Sequence, residues 1–183
     1  MTEGRTRIVS ICGSLRAGSI NGAVLAAAAS ASGPDVEMTP FHGLAELPHF
    51  NPDHDHDAPP PAVQEMRDKL ARAGAILFST PEYAGSLPGS FKNLLDWTIG
   101  ASSLYRRPVG WINPSAHGGA GDAFHALRLV LDKAGANVVE AACANIPVGR
   151  NDLDAEGRIQ DEALLRKIAA VTSALAVAAR EGH

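Results

Sequence analysis

Gly13-Ser14-Leu15-Arg16-Ala17-Gly18-Ser19-Ile20-Asn21 is the stretch on which the reading of this chain turns. It follows a short apolar run, Ile8 to Cys12, and precedes an alanine-rich helical pattern from Gly22 to Ser32. Strand, glycine-containing polar loop and helix form the arrangement in which a helix N-terminus meets an anion. The loop adds Ser14, Arg16, Ser19 and Asn21, all of them hydrogen-bond donors. A terminal phosphate monoester, nearly a dianion with three acceptor oxygens, suits side-chain donors plus one guanidinium. A diphosphate is more often bound by bare backbone, which is why dinucleotide loops are mostly glycine. The Walker A loop requires a lysine that is absent here, and no Gly-x-Gly-x-x-Gly occurs at this loop. The plain alternative is an ordinary turn with Ser19 or Asn21 as helix cap.

The 183 residues suffice for a single domain, 1–183, with a sizeable core. A hydrophobic content of 45% and a charged content of 20% are ordinary for a soluble protein. A net charge of −4 gives no basic footprint and argues against a nucleic-acid partner. Cys12 and Cys143 lie in apolar stretches without metal-ligand spacing, as expected of buried thiols in a reducing cytoplasm. The polar start, Met1 to Arg7, and the short apolar run after it do not read as a signal peptide, and no stretch reads as membrane-spanning.

Further along, Val36-Glu37-Met38 reads as a short or edge strand after the Gly33-Pro34 turn. Phe41 to Pro61 is irregular, with His42, His49, His54 and His56 among Asp53, Asp55 and Asp57. His and Asp are common metal ligands, but alternating positions in a proline-rich segment read as a solvated loop, and no metal is expected. Pro59 to Ala73 reads as a helix capped near Asp57 or Ala58, and Ala75 to Ser79 as a strand buried on both faces. Thr80 to Ser90 forms a second functional-looking loop, followed by a helix through Phe91, Leu94, Leu95 and Trp97 to about Ile99. Pro108 to Asn113 is a strand leading into a third small-residue loop, 114–121, after which Asp122 is expected to cap a helix. Asn137 to Cys143 is the last strand, 145–160 wanders, and Asp161 to Arg180 closes the chain as an amphipathic helix.

Strands alternating with helices predict an α/β, doubly wound, five-stranded parallel sheet with helices on both faces. The three Gly-, Ser- and Pro-rich loops follow the first, third and fourth strands. In such sheets ligands bind beyond the carboxyl ends of the strands, so these loops can converge on one crevice.

Taken together, Gly13-Ser14-Leu15-Arg16 with Ser19 and Asn21, and Thr80-Pro81-Glu82-Tyr83-Ala84-Gly85-Ser86-Leu87-Pro88-Gly89-Ser90-Phe91-Lys92-Asn93-Leu94-Leu95-Asp96-Trp97, resemble the NADPH-dependent FMN reductase family. Phe91 stands where leucine is usual and Ala84 where asparagine is common. The resemblance implies a flavodoxin-like fold, bound FMN, and NADPH or NADH as hydride donor to a small-molecule electron acceptor. It places Ser14, Arg16, Ser19, Ile20 and Asn21 on the FMN phosphate. Pro81, Glu82, Tyr83, Ala84 and Gly85 border the isoalloxazine, and Ser115, His117, Gly118 and Gly119 close its other side. It also implies a homodimer or tetramer through the helix carrying Trp97, where the apolar residues exceed what one sheet face needs. Hydride transfer to a flavin requires no protein acid or base, so no catalytic side chain is assigned.

Other functions fit less well. An electron carrier of flavodoxin type docks its partners through a strongly charged face, and −4 is a weak balance for that. A hydrolase would need a Gly-x-Ser-x-Gly elbow, which is absent. A flavin-binding module without turnover shares the same residues.

Overall fold

The computed structural model describes residues 4–116 and 119–182. The strands are β1 (Thr6–Cys12), β2 (Val36–Phe41), β3 (Ala75–Ser79), β4 (Pro108–Asn113) and β5 (Asn137–Asn145). The helices are α1 (Ile20–Ala31), α2 (Pro61–Ala71), α3 (Gly89–Ile99), α4 (Gly121–Lys133) and α5 (Glu162–Glu181). All strand pairs are parallel, in the order β2-β1-β3-β4-β5. This is the expected α/β, flavodoxin-like arrangement.

Side-chain alternation along the strands builds two cores. Val9, Ile11, Ile76 and Phe78 face α2, α3 and α4, where Met66, Phe91 and Leu127 meet them. Ile8, Ala75 and Leu77 face α1 and α5, against Val24, Ile168 and Leu175. Every residue of β3 is buried, as its unbroken apolar run requires of a central strand covered on both faces.

Several expectations need correction. Strand β2 is longer than three residues, because its edge position tolerates Pro40. Helix α1 starts at Ile20, with Ser19 as its N-cap accepting from the Gly22 N–H at 3.1 Å. Helix α2 starts at Pro61 behind Pro60 and carries no side-chain cap from Asp57 or Ala58. Gly89 and Ser90 belong to α3, not to the loop before it. Asp122 lies inside the first turn of α4, whose N-cap is Ala120. Strand β5 runs on to Asn145. Asp161 caps α5, accepting from the Leu164 N–H at 2.8 Å.

Trp97 departs most. Phe91, Leu94, Leu95 and Trp97 are all fully buried within the chain. The indole N–H donates to the Pro48 carbonyl at 2.8 Å, and Phe50 meets the ring edge-on at 5.0 Å. The 48–50 segment covers the Trp97 ring, so that side chain is not exposed to a second subunit.

The His-Asp segment has a structural task. Asp55 accepts from Arg67 at 2.6 Å, and Arg67 also donates to the Trp97 carbonyl, which ties this segment to α2 and α3. Both side chains of that pair are largely buried, so Asp55 is not part of a solvated loop. Among the described residues no three His, Cys, Asp or Glu side chains converge as metal ligands. Nor is any described helix long and apolar enough to cross a membrane.

Candidate functional site

Strands β1, β3 and β4 are neighbours and parallel, so the loops after them leave the same edge of the sheet. The described residues among those predicted for the site lie on loops at that common edge.

The first loop is pinned at its start. The Gly13 N–H donates to the Ser79 carbonyl at 2.8 Å, and the backbone passes so near Thr80 that a Cβ on residue 13 would lie 2.2 Å from Thr80 Oγ1. Ser14 Oγ accepts from the Arg16 N–H at 3.2 Å, which folds the loop back on itself. Ser14 and Ser19 are half-buried, and Arg16 is exposed. The Ser14 hydroxyl, an acceptor within the loop, keeps its own O–H to donate outward, while Ser19 Oγ also lies 3.8 Å from Cys12 Sγ. Helix α1 has no acidic residue in its first turn, so the positive end of its dipole is left for an outside anion. Ile20 contributes its place at the start of that helix.

Asn21 is buried beneath the loop. Its Oδ1 accepts from Ser79 Oγ at 2.9 Å, and the same hydroxyl reaches the Ile112 carbonyl at 2.8 Å. The residue therefore ties α1 to β3 and β4, and its amide N–H groups are what it can offer a ligand. A groove of about 440 Å³ continues from this cup along α1, walled by Ala23, Ala26, Phe41, His42 and Leu153.

The second loop is a tight hairpin. Tyr83 and Ser86 exchange backbone hydrogen bonds of 2.9 and 3.1 Å across Ala84 (φ 52°) and Gly85 (φ 71°). Positive φ at both central residues marks a type I′ turn. Among the described residues the Ala84 and Gly85 N–H groups have no hydrogen-bond partner. Pro81 and Glu82 are half-buried, and Tyr83 stands 55% exposed at the rim.

The third loop is organised by Asn113, which is buried at the end of β4. Its Oδ1 accepts from the Ser115 N–H at 3.0 Å and its Nδ2 donates to the Gly119 carbonyl at 2.9 Å. Ser115 is half-buried and Gly119 exposed. His117 and Gly118, also assigned to this loop, lie outside the described residues.

Sequence reasoning missed Asn113 and Ser79, the polar residues that set the loops from below. The available signal was a polar residue closing each of two apolar strands at the ligand-binding end. It also missed the turn at 153–159, which borders the groove. There Leu153 pairs with Ile159, and Asp154 accepts from the Glu156 and Arg158 N–H groups at 3.0 and 2.8 Å. Gln160 adds a bond of 2.7 Å and the Arg158 guanidinium one of 3.0 Å. The Arg158 backbone N–H, first among these donors, holds the Asp154 carboxyl down to about 2.

Chemically, the cup presents hydroxyls, a guanidinium and a helix N-terminus to one anion. The hairpin at Ala84 and Gly85 beside it presents bare backbone N–H groups, and Gly85 leaves room for close approach of a flat ring.

The NADPH-dependent FMN reductase family matches residues 6–150. An NAD(P)H-dependent FMN reductase of Pseudomonas aeruginosa is 31% identical over 159 residues, covering 85% of each chain. A quinone reductase of Pseudomonas putida is 38% identical over 126 residues, covering 66% of this chain and 67% of its own. The solved flavoenzyme NAD(P)H:(acceptor) oxidoreductase FerB of Paracoccus denitrificans superposes with a TM-score of 0.83 at 27% identity, covering 96% of this chain and 98% of that one. The chain belongs to the NADPH-dependent FMN reductase family of oxidoreductases.

Proposed function

We propose that this protein binds FMN across its three loops and passes electrons from NADH or NADPH to a small planar acceptor such as a quinone. The observation that carries this reading is the cup. Ser14, Arg16 and Ser19 stand over the uncapped-by-acid start of α1, on the same sheet edge as two turns of bare backbone.

In this reading Arg16 and the two hydroxyls bind the terminal phosphate, and the α1 N-terminus stabilises its charge. The N–H groups of Ala84 and Gly85 face the polar edge of the ring. Ser115 and Gly119 border its other side, held there by Asn113. When bound, FMN supplies the hydride-accepting and electron-donating chemistry, and the chain supplies position and electrostatics. Tyr83, exposed at the rim, packs against whatever ring enters.

In this reading nicotinamide and acceptor use the same face of the ring, so they enter in turn. Relatives named FMN reductase and quinone reductase support a small acceptor. Two free cysteines suit a reducing cytoplasm. Initial rates measured against NADPH and a benzoquinone at several concentrations of each test the scheme. Parallel double-reciprocal lines are expected. Intersecting lines would require both substrates to be bound together and would overturn it.

A further inference from the structure

Helix α4 begins without a cap of its own. Its N-cap residue, Ala120, has φ 62° and a side chain that cannot accept a hydrogen bond. The first bond back into that turn is from the Phe124 N–H to the Ala120 carbonyl at 3.2 Å, so the Ala123 N–H has no acceptor within the helix. It is met from elsewhere in the chain. Glu82 Oε2, on the loop after β3, accepts from the Ala123 N–H at 3.1 Å.

A Ser, Asp or Asn in the extended backbone usual for an N-cap would make this bond locally. Here the acceptor comes from the opposite wall of the crevice. The same two elements approach a second time at Gly85, where an added Cβ would stand 3.9 Å from Asp122 Oδ2. The second loop is held by its two-residue hairpin, and the Gly119 carbonyl, next to the start of α4, is held by Asn113. A bond between Glu82 and α4 therefore joins two anchored points.

We propose that Glu82 is a positioning residue: its carboxylate ties the start of α4, and with it the loop after β4, to the loop after β3. The spacing between the two walls of the flavin crevice is then set by this bond. The proposal rests on reading the crevice as the flavin site. The resemblance placed Glu82 beside the isoalloxazine, and one of its carboxylate oxygens, Oε2, is engaged by the helix. The helix dipole strengthens an anionic acceptor at this position. Glu82→Gln keeps an acceptor oxygen at the same reach, whereas Glu82→Ala removes it.

Amide hydrogen exchange at Ala123, followed by NMR in the full chain with and without FMN, is the direct readout, because Glu82 supplies that amide's hydrogen-bond acceptor. It is paired with the FMN dissociation constant of the wild type and both variants. Glu82→Ala should speed exchange at Ala123 about 5-fold or more, the scale of a lost helix cap, and weaken FMN binding at least 3-fold, roughly half to one kilocalorie's worth of position. Glu82→Gln should restore both. Unchanged exchange in Glu82→Ala contradicts the clamp. Faster exchange with unchanged FMN affinity, or failure of Glu82→Gln to rescue, reduces the bond to a local helix cap and overturns the positioning role. A wild type that takes up no FMN contradicts the functional reading instead, while exchange at Ala123 still rules on the clamp.

Discussion

Gly13 and Thr80 are packed so closely that the first and third strands could not end as they do with any side chain at position 13. A Cβ there would lie 2.2 Å from Thr80 Oγ1 and 2.6 Å from Thr80 Cβ. The loop that carries Ser14 and Arg16 is thus launched from a contact only glycine permits. Gly13→Ala should destabilise the protein by roughly 1–3 kcal/mol, the cost of overpacking. Thr80→Ala should not rescue it, because the Thr80 Cβ remains in the way. Urea unfolding of the two single variants and the double variant checks this, and a rescued double variant would contradict the contact.

Ala84 holds φ 52° in a two-residue turn that asks for Asn or Gly. A left-handed alanine costs about 1–2 kcal/mol, and asparagine tolerates that region better. Ala84→Asn should therefore raise the unfolding midpoint, while Ala84→Val, β-branched in the same turn, should lower it. Thermal unfolding of the two variants decides, and the opposite order would refute the turn assignment.

The turn beside the phosphate cup has its own pH signature. Asp154 is held at about 2, below its ordinary 3.8, chiefly by the Arg158 backbone N–H. A folded value below the unfolded one means the ionised carboxylate stabilises the turn above about pH 4, and that contribution is lost as pH falls through 2. The carboxyl carbon shift of Asp154, followed by NMR, should titrate near the lower value. A midpoint near 4 would contradict the network around it.

How much of this was legible in the sequence follows from where the information is stored. β3 and β4 were found to the residue because an apolar run bounded by polar loops is a local signal. The three loops were also local, since glycine, proline and serine cluster in them. Trp97 was misplaced because its burial depends on Pro48 and Phe50, from a segment without periodicity of its own. Asp122 was taken as the α4 cap because a cap is normally local, whereas here the acceptor is Glu82, far away in the chain. Asn21 read as a loop donor, and its bond to Ser79 became visible only once α1 was laid against β3. Local chemistry was readable, and bonds that depend on which strands are neighbours were not.

The Arg16 side chain is exposed, and its backbone bond to Ser14 survives replacement by alanine, so the substitution tests binding in isolation. A charge-assisted phosphate contact is worth about 1.5–3 kcal/mol. Arg16→Ala should weaken FMN about 10- to 100-fold, with the unfolding midpoint of the flavin-free protein unchanged. Reconstitution with FAD should give weaker binding than FMN in the wild type, because the cup is built for a terminal phosphate. Equal FMN affinity in Arg16→Ala would place the phosphate elsewhere.

The central claim is that the three loops hold FMN where a reduced nicotinamide can reach it. Anaerobic addition of NADPH, and separately of NADH, to the FMN-loaded protein tests it most directly. The account predicts that at least one of them bleaches the visible absorption of the bound flavin and that a quinone added afterwards restores it. An FMN-loaded protein whose spectrum neither nicotinamide changes would contradict it.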